Sequence, residues 1–194
     1  METPTSRIDI DPRELARYLA EILIQRFPSW SRSPKGWKVV LLDLMHDYSE
    51  MRGVMCWTAK RPKSFMVDGV IGIDAQETGY PTSMLVAAHC EMGKKWENQV
   101  EDFLKLVHLR AELKLFFSQV WKNPEEGQLG LFEAVGEFRQ LVSKYSGKID
   151  NYLLFLLENP GQDDAAYKVF AFYWPGGSAG TERVLELESP GPEE

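Results

Sequence analysis

Cysteine is scarce in this chain of 194 residues: there are two, Cys56 and Cys90, beside three histidines. Two thiols cannot build a disulfide framework, and no further Cys or His stands at zinc-ligand spacing around them. Structural zinc is therefore not expected, and a reduced, cytoplasmic setting is. Long apolar runs are also missing. No stretch approaches the roughly 18 apolar residues that a membrane span requires, and the opening METPTSRIDIDPREL has no apolar leader core, so no membrane partner is expected. Basic charge is in the minority, and a net charge of −7 argues against a globally basic nucleic-acid binder. Its distribution is uneven. Residues 182–194 hold five Glu and one Arg, which leaves the rest of the chain nearly balanced. Between residues 30 and 66, Arg32, Lys35, Lys38, Arg52, Lys60, Arg61 and Lys63 outnumber Asp43, Asp47 and Glu50. That run either faces a phosphate backbone or is an ordinary solvated surface.

What the chain does have is apolar material, 44% hydrophobic and 12% aromatic, enough for one sizeable core. The expectation is a single α/β domain over residues 1–176, with an edge strand and a disordered acidic tail over 177–194. Asp11, Pro12 and Glu14 read as a helix start, and Leu15, Leu19, Ile22 and Leu23 continue it to near Phe27. The contiguous apolar run in WKVVLLDLMH predicts a strand at Val39 to Leu44. Two further short strands are read at 53–60 and 64–74, joined by the hairpin-like RPK. Ser83 to Cys90 is almost wholly apolar, as a central strand buried on both faces should be. From Lys95 the period changes. Trp96, Val100, Phe103, Leu104 and Val107 form one stripe of a helix whose other face carries Glu97, Glu101, Asp102 and Lys105.

ELKLFFSQVW at 112–121 reads as the next strand, so that a crossover makes it parallel to its predecessor. A second amphipathic helix spans 129–145, with Phe132, Val135, Phe138, Leu141 and Val142 on its apolar side. NYLLFLLEN and YKVFAFYWP are two late strands, and Val184 to Leu187 a short edge strand. The late strands carry more apolar surface than a sheet edge should leave open, which points to a protein partner or homodimer.

Asp68 lies in one strand of this order, and His89-Cys90-Glu91 ends the next, some twenty residues on. In these features the chain, over about residues 13–120, resembles the PD-(D/E)xK nuclease superfamily. The resemblance implies a mixed central sheet flanked by helices, a restriction-endonuclease-like core, with extra C-terminal strands. It further implies a metal-dependent nuclease acting on DNA with Mg²⁺ or Mn²⁺, in which Asp68, His89 and Glu91 hold the metal and Asp68, Glu91 and Lys95 (or Lys94) are catalytic. The alternative is a catalytically inactive relative that binds protein or nucleic acid.

The chemistry has a physical rationale of its own. Carboxylates converging from adjacent strands supply oxygen ligands to a hard cation, and a nearby lysine helps activate water. Residues two apart on a strand share a face, which puts His89 beside Glu91. The motif departs from its pattern, because His89 stands where a carboxylate is usual and Glu91 where lysine is. Imidazole suits Mn²⁺ better than Mg²⁺. Gln99 and Phe103 also look like the family's Gln-x-x-x-Tyr helix motif with Phe for Tyr, and Glu14 or Glu21 could add a carboxylate.

Each residue equally admits a plain reading: Asp68 as a bulge or turn residue, His89 as a histidine satisfied by backbone, Glu91 as a charge at the start of the following helix, and Cys90 as a small buried hydrophobe.

Overall fold

The computed structural model describes residues 9–26, 34–58, 67–74, 79–93, 95–145, 150–159, 167–176 and 181–188. Local chemistry sets the first element. The Asp11 carboxylate accepts the Arg13 N–H at 2.8 Å, and α1 (Pro12–Arg26) follows from Pro12, whose missing N–H is no loss there. The apolar run at 37–46 is not a strand. It belongs to α2 (Pro34–Arg52), in which Trp37, Leu41, Leu44, Met45 and Tyr48 recur at helical spacing and are buried while Val39 faces out. The VVLL run hides that period, because Val39 and Val40 sit on the flank and the inward stripe extends well past residue 46.

Among the described residues seven strands then form one sheet in chain order: β1 (Met55–Thr58), β2 (Gly69–Ile73), β3 (Ser83–Glu91), β4 (Leu113–Trp121), β5 (Asn151–Asn159), β6 (Lys168–Trp174) and β7 (Glu182–Glu188). β1, β2 and β3 pair antiparallel, β3, β4 and β5 pair parallel, and β6 and β7 add antiparallel. The expected RPK hairpin turn lies outside the described residues, as does the acidic tail beyond residue 188. Parallel pairing needs crossovers, supplied by α3 (Trp96–Val107) and α4 (Leu131–Tyr145).

Strand alternation sorts the sheet's two faces. Leu113, Leu115, Phe117, Leu153 and Phe155 pack with α1 and α2, whereas Phe116, Val120, Leu154 and Leu156 pack with α3 and α4. β3, β4 and β5 are thus covered on both sides, which explains their unbroken apolar character. In the second layer Phe103 meets Phe116, Phe138 and Tyr152 with ring centroids 5.3, 4.9 and 5.7 Å apart, and Trp96 meets Phe138 at 4.8 Å. Such pairs contribute about 0.5–1.5 kcal/mol each beyond area burial.

Two expectations change here. The buried side of α4 is Leu131, Ala134 and Phe138, and Phe132 is 84% exposed. A step of three residues drifts around a helix, and burial follows the three-then-four spacing that starts at Leu131. The late apolar strands are not an open edge, because β7 pairs along β6 and α1 packs against both. No helix among the described residues is long and apolar enough to cross a membrane.

Candidate functional site

Residues at the carboxyl end of β3 alternate between layers. Ala88 and Cys90 join the α1/α2 core, with Cys90 only 3% exposed as a small hydrophobe, while His89 and Glu91 face α3. Asp68, just before β2, lies opposite His89: its N–H donates to Ala88 O at 3.1 Å, extending the β2–β3 ladder. Its carboxylate is buried rather than turned outward. Oδ2 accepts the Cys90 N–H at 2.9 Å, and Oδ1 lies 2.5 Å from Lys38 Nζ, which reaches over from α2.

His89 sits between two carboxylates. Nδ1 is 3.2 Å from Asp68 Oδ2, and Nε2 is 2.9 Å from Asp102 Oδ2 on α3. Each nitrogen thus faces a carboxylate oxygen at contact distance, though without strict hydrogen-bond alignment, and the ring stacks over Phe116 at 6.5 Å. Backbone does not satisfy this histidine. Asp102 pairs in turn with Lys105 one helical turn on. A chain of alternating groups, Lys38, Asp68, His89, Asp102 and Lys105, therefore crosses the end of the sheet from one helical layer to the other.

Glu91 is held differently. Its Oε1 accepts the Gly93 N–H at 2.5 Å, an approach so close that a Cβ at position 93 would run into the carboxylate. Its other neighbour is Asp102, a second acid close to it in the same partly buried site. Burial, then the hydrogen bond to Asp102, push the Glu91 carboxyl above its usual range. Burial pushes Asp102 up too, but Lys105 first, then His89 and the hydrogen bond from Glu91, outweigh it and hold Asp102 below the usual range. Glu91 does not cap α3. That helix begins after Lys95 with no side-chain cap, and its first N–H, from Trp96, goes to Gly127 O at 2.9 Å.

The structure brings Asp68 and His89 together and places Glu91 next to both Asp102 and Gly93. It leaves Lys95 apart, exposed at the helix start with no ion pair to these carboxylates, and Lys94 lies outside the described residues. Glu14 is not part of the cluster, being paired with Arg52 at 3.1 Å. Gln99 is buried and donates to Gly93 O and Gln119 O, both at 3.1 Å, so it ties α3 to the ends of β3 and β4.

Sequence reasoning missed Lys38, Asp102 and Lys105. The last two were assigned to the solvent face of α3, yet Asp102 follows Gln99 by one turn, and that buried polar residue was the available signal. Among the described residues, no group of three or more His, Cys, Asp or Glu side chains is disposed to hold a metal ion. The reason is visible in the cluster: the imidazole separates Asp68 from Asp102, so one ion cannot touch both as they stand.

Concavity points elsewhere. A groove of about 990 Å³ opens among Asp9, Arg13, Met84, Arg110, Glu112 and Asn151, at the amino ends of β3, β4 and β5. The ends of parallel strands that commonly carry chemistry are the carboxyl ones, and there His89 brings together carboxylates from β2's approach, β3 and α3; buried polar atoms without a hydrogen bond also occur at Tyr48 and Trp174 and do not by themselves choose the site. Geometry and chemistry therefore favour the His89 cluster over the larger groove. No protein-family model, no curated protein and no solved structure matches the chain.

Proposed function

We propose that the protein is a metal-dependent nuclease with a restriction-endonuclease-like core, acting on DNA at the carboxyl end of β3. The observation that carries this reading is the convergence of Asp68, Glu91 and Asp102 on the buried His89 imidazole, whose two nitrogens each face a carboxylate. Drawing several carboxyl groups together in a partly buried site works against their ionisation, and a binding role accounts for keeping them there. The antiparallel β1–β2–β3 followed by the parallel β3–α3–β4 crossover supports the same reading.

As the side chains stand, His89, Asp102 and Glu91 do not form a metal site; the reading requires Glu91 to turn from Gly93 and join His89 Nε2 and Asp102 on the α3 side of the ring, where the three would hold a divalent ion. Imidazole beside carboxylates favours Mn²⁺ over Mg²⁺. When bound, the ion would polarise a phosphoryl oxygen and lower the pKa of its water. Asp68 then orients His89 from the far side, and Glu91, whose carboxyl burial pushes above its usual range, is the group placed to act as general acid or base.

The test is cleavage of plasmid and oligonucleotide DNA with Mn²⁺ or Mg²⁺. Activity that falls to background in Asp68→Ala and Glu91→Ala is the expected result; intact substrate from the wild-type protein with every metal overturns the reading.

A second reading, a catalytically inactive relative that binds protein or nucleic acid, is favoured by one observation: Lys38 and Lys105 already neutralise Asp68 and Asp102. Calorimetric uptake of Mn²⁺ that disappears in Asp102→Asn counts against it.

A further inference from the structure

The five-membered chain across the sheet end has cations at both tips. Lys38 and Lys105 have side chains 40% and 37% exposed, while the carboxylates they hold, Asp68 and Asp102, are 7% and 16% exposed. The acids lie inside and the ammonium groups emerge. An ammonium has three N–H donors, and each lysine spends one on its carboxylate, so the others are available to solvent or to a ligand. The two come from opposite layers, α2 and α3, and stand on either lip of the carboxyl end of β3.

We infer that Lys38 and Lys105 form a two-pronged contact for the sugar–phosphate backbone of a nucleic acid, one prong from each helical layer, flanking His89. The inference rests on the nuclease reading for its ligand and assigns the substrate-holding groups that reading lacks. A phosphodiester is the ligand that fits: it offers charged acceptor oxygens at regular intervals, and lysine meets phosphate as a point charge without demanding a fixed plane. The ion pairs also hold both side chains in place beforehand, which lowers the entropy lost on binding.

With a net charge of −7 the protein has no global field to draw DNA in, so the attraction has to be local. The basic run at residues 30–66 divides accordingly. Lys38 goes to the cluster, whereas Arg52 is spent on Glu14 and the Asp9 carbonyl.

The experiment measures affinity of the full-length protein for a labelled single-stranded oligonucleotide by fluorescence anisotropy, in EDTA, between about 50 and 200 mM salt. Lys38→Gln and Lys105→Gln are each expected to reduce the slope of log K against log salt by about 0.7, and the double variant by about twice that. Lys→Arg at either position restores the slope, and Lys144→Gln on the exposed end of α4 leaves it unchanged. Thermal melts of each variant establish that it is folded.

Slopes equal to wild type in both single variants, or no binding by the wild-type protein, overturn the inference. Mn²⁺-dependent cleavage by the wild type, run in parallel, separates the two ideas. Cleavage with unaltered slopes overturns the two-lysine contact alone, while altered slopes without cleavage uphold the contact and remove the nuclease reading.

Discussion

Two strands of the sheet each direct a buried polar residue toward α3, and the two residues are treated in opposite ways. Lys114 on β4 is 1% exposed, and its ammonium donates to Val107 O at 2.9 Å and Tyr152 Oη at 3.4 Å and meets Asp150 Oδ2 at 3.1 Å. All three donors are used, one of them on a carbonyl at the end of a helix, where positive charge is favourable. His89 on β3 is 6% exposed and has a carboxylate at contact distance from each nitrogen, without strict hydrogen-bond alignment. The first arrangement is a completed structural link. The second gathers carboxylates around an imidazole in looser geometry, an arrangement that makes sense where a ligand is to arrive.

The sharpest way to break this comparison is to remove both residues and weigh the losses. Lys114→Ala leaves Asp150 and a helix-end carbonyl without their cation and is expected to destabilise by about 3–5 kcal/mol in urea titration. Lys114→Met keeps the stem and is expected to lose clearly less. A cost for Lys114→Ala below about 1 kcal/mol would mean that the link contributes nothing. Gln99 falls between the two regions, since it serves both strand ends through two carbonyls. Gln99→Leu strands the carbonyls of Gly93 and Gln119 and is expected to cost about 1–3 kcal/mol, read the same way.

His89→Leu fills similar space against Phe116 and abandons no hydrogen bond, and each flanking carboxylate retains its lysine. Its expected cost is smaller, under about 1 kcal/mol, although DNA cleavage should be lost. If it destabilises as much as Lys114→Ala, His89 is structural and the distinction fails.

How much of this was legible follows from the kind of signal involved. β3, α3 and β4 were readable because apolar period and length agreed, and strand alternation alone put His89 and Glu91 on one face. α2 was not, since four contiguous apolar residues satisfy a strand and a helix equally, and the helical period shows only when Leu44, Met45 and Tyr48 beyond the run are counted with Trp37 before it. The cluster was half legible. Asp68, His89 and Glu91 lie on neighbouring strands of a local meander, but Lys38 comes from α2 and its pairing with Asp68 depends on how that helix crosses the sheet. Asp102 and Lys105 lie on the flank of the buried stripe of α3, where period cannot decide between solvent and sheet. Lys95 was placed by adjacency to the strand end, and in the structure it is exposed at the start of α3 with no ion pair to the cluster carboxylates.

The smallest expected effect tests the Glu91–Asp102 contact through pH. Glu91 has its pKa raised, so the folded protein holds that proton more tightly than the unfolded chain, whose Glu titrates near about 4.3. The stability this contributes is fully present below the unfolded value and is lost as pH rises through the folded one. Asp102 runs the other way. Its pKa is lowered, so its contribution is present above the unfolded value and is lost as pH falls through the folded one. Glu91→Gln supplies a permanent neutral donor to Asp102 and removes the first dependence while leaving the second. The unfolding free energy of wild type minus that of Glu91→Gln should therefore fall as pH climbs from about 4 toward 8. The change should stay under about 1 kcal/mol, because Glu91 is only partly buried and solvent screens the pair. A difference that is flat or rises over that range would mean that Glu91 titrates like an ordinary surface carboxylate. The close approach of Glu91 to Asp102, unlike the Lys114 link, would then leave no mark on stability.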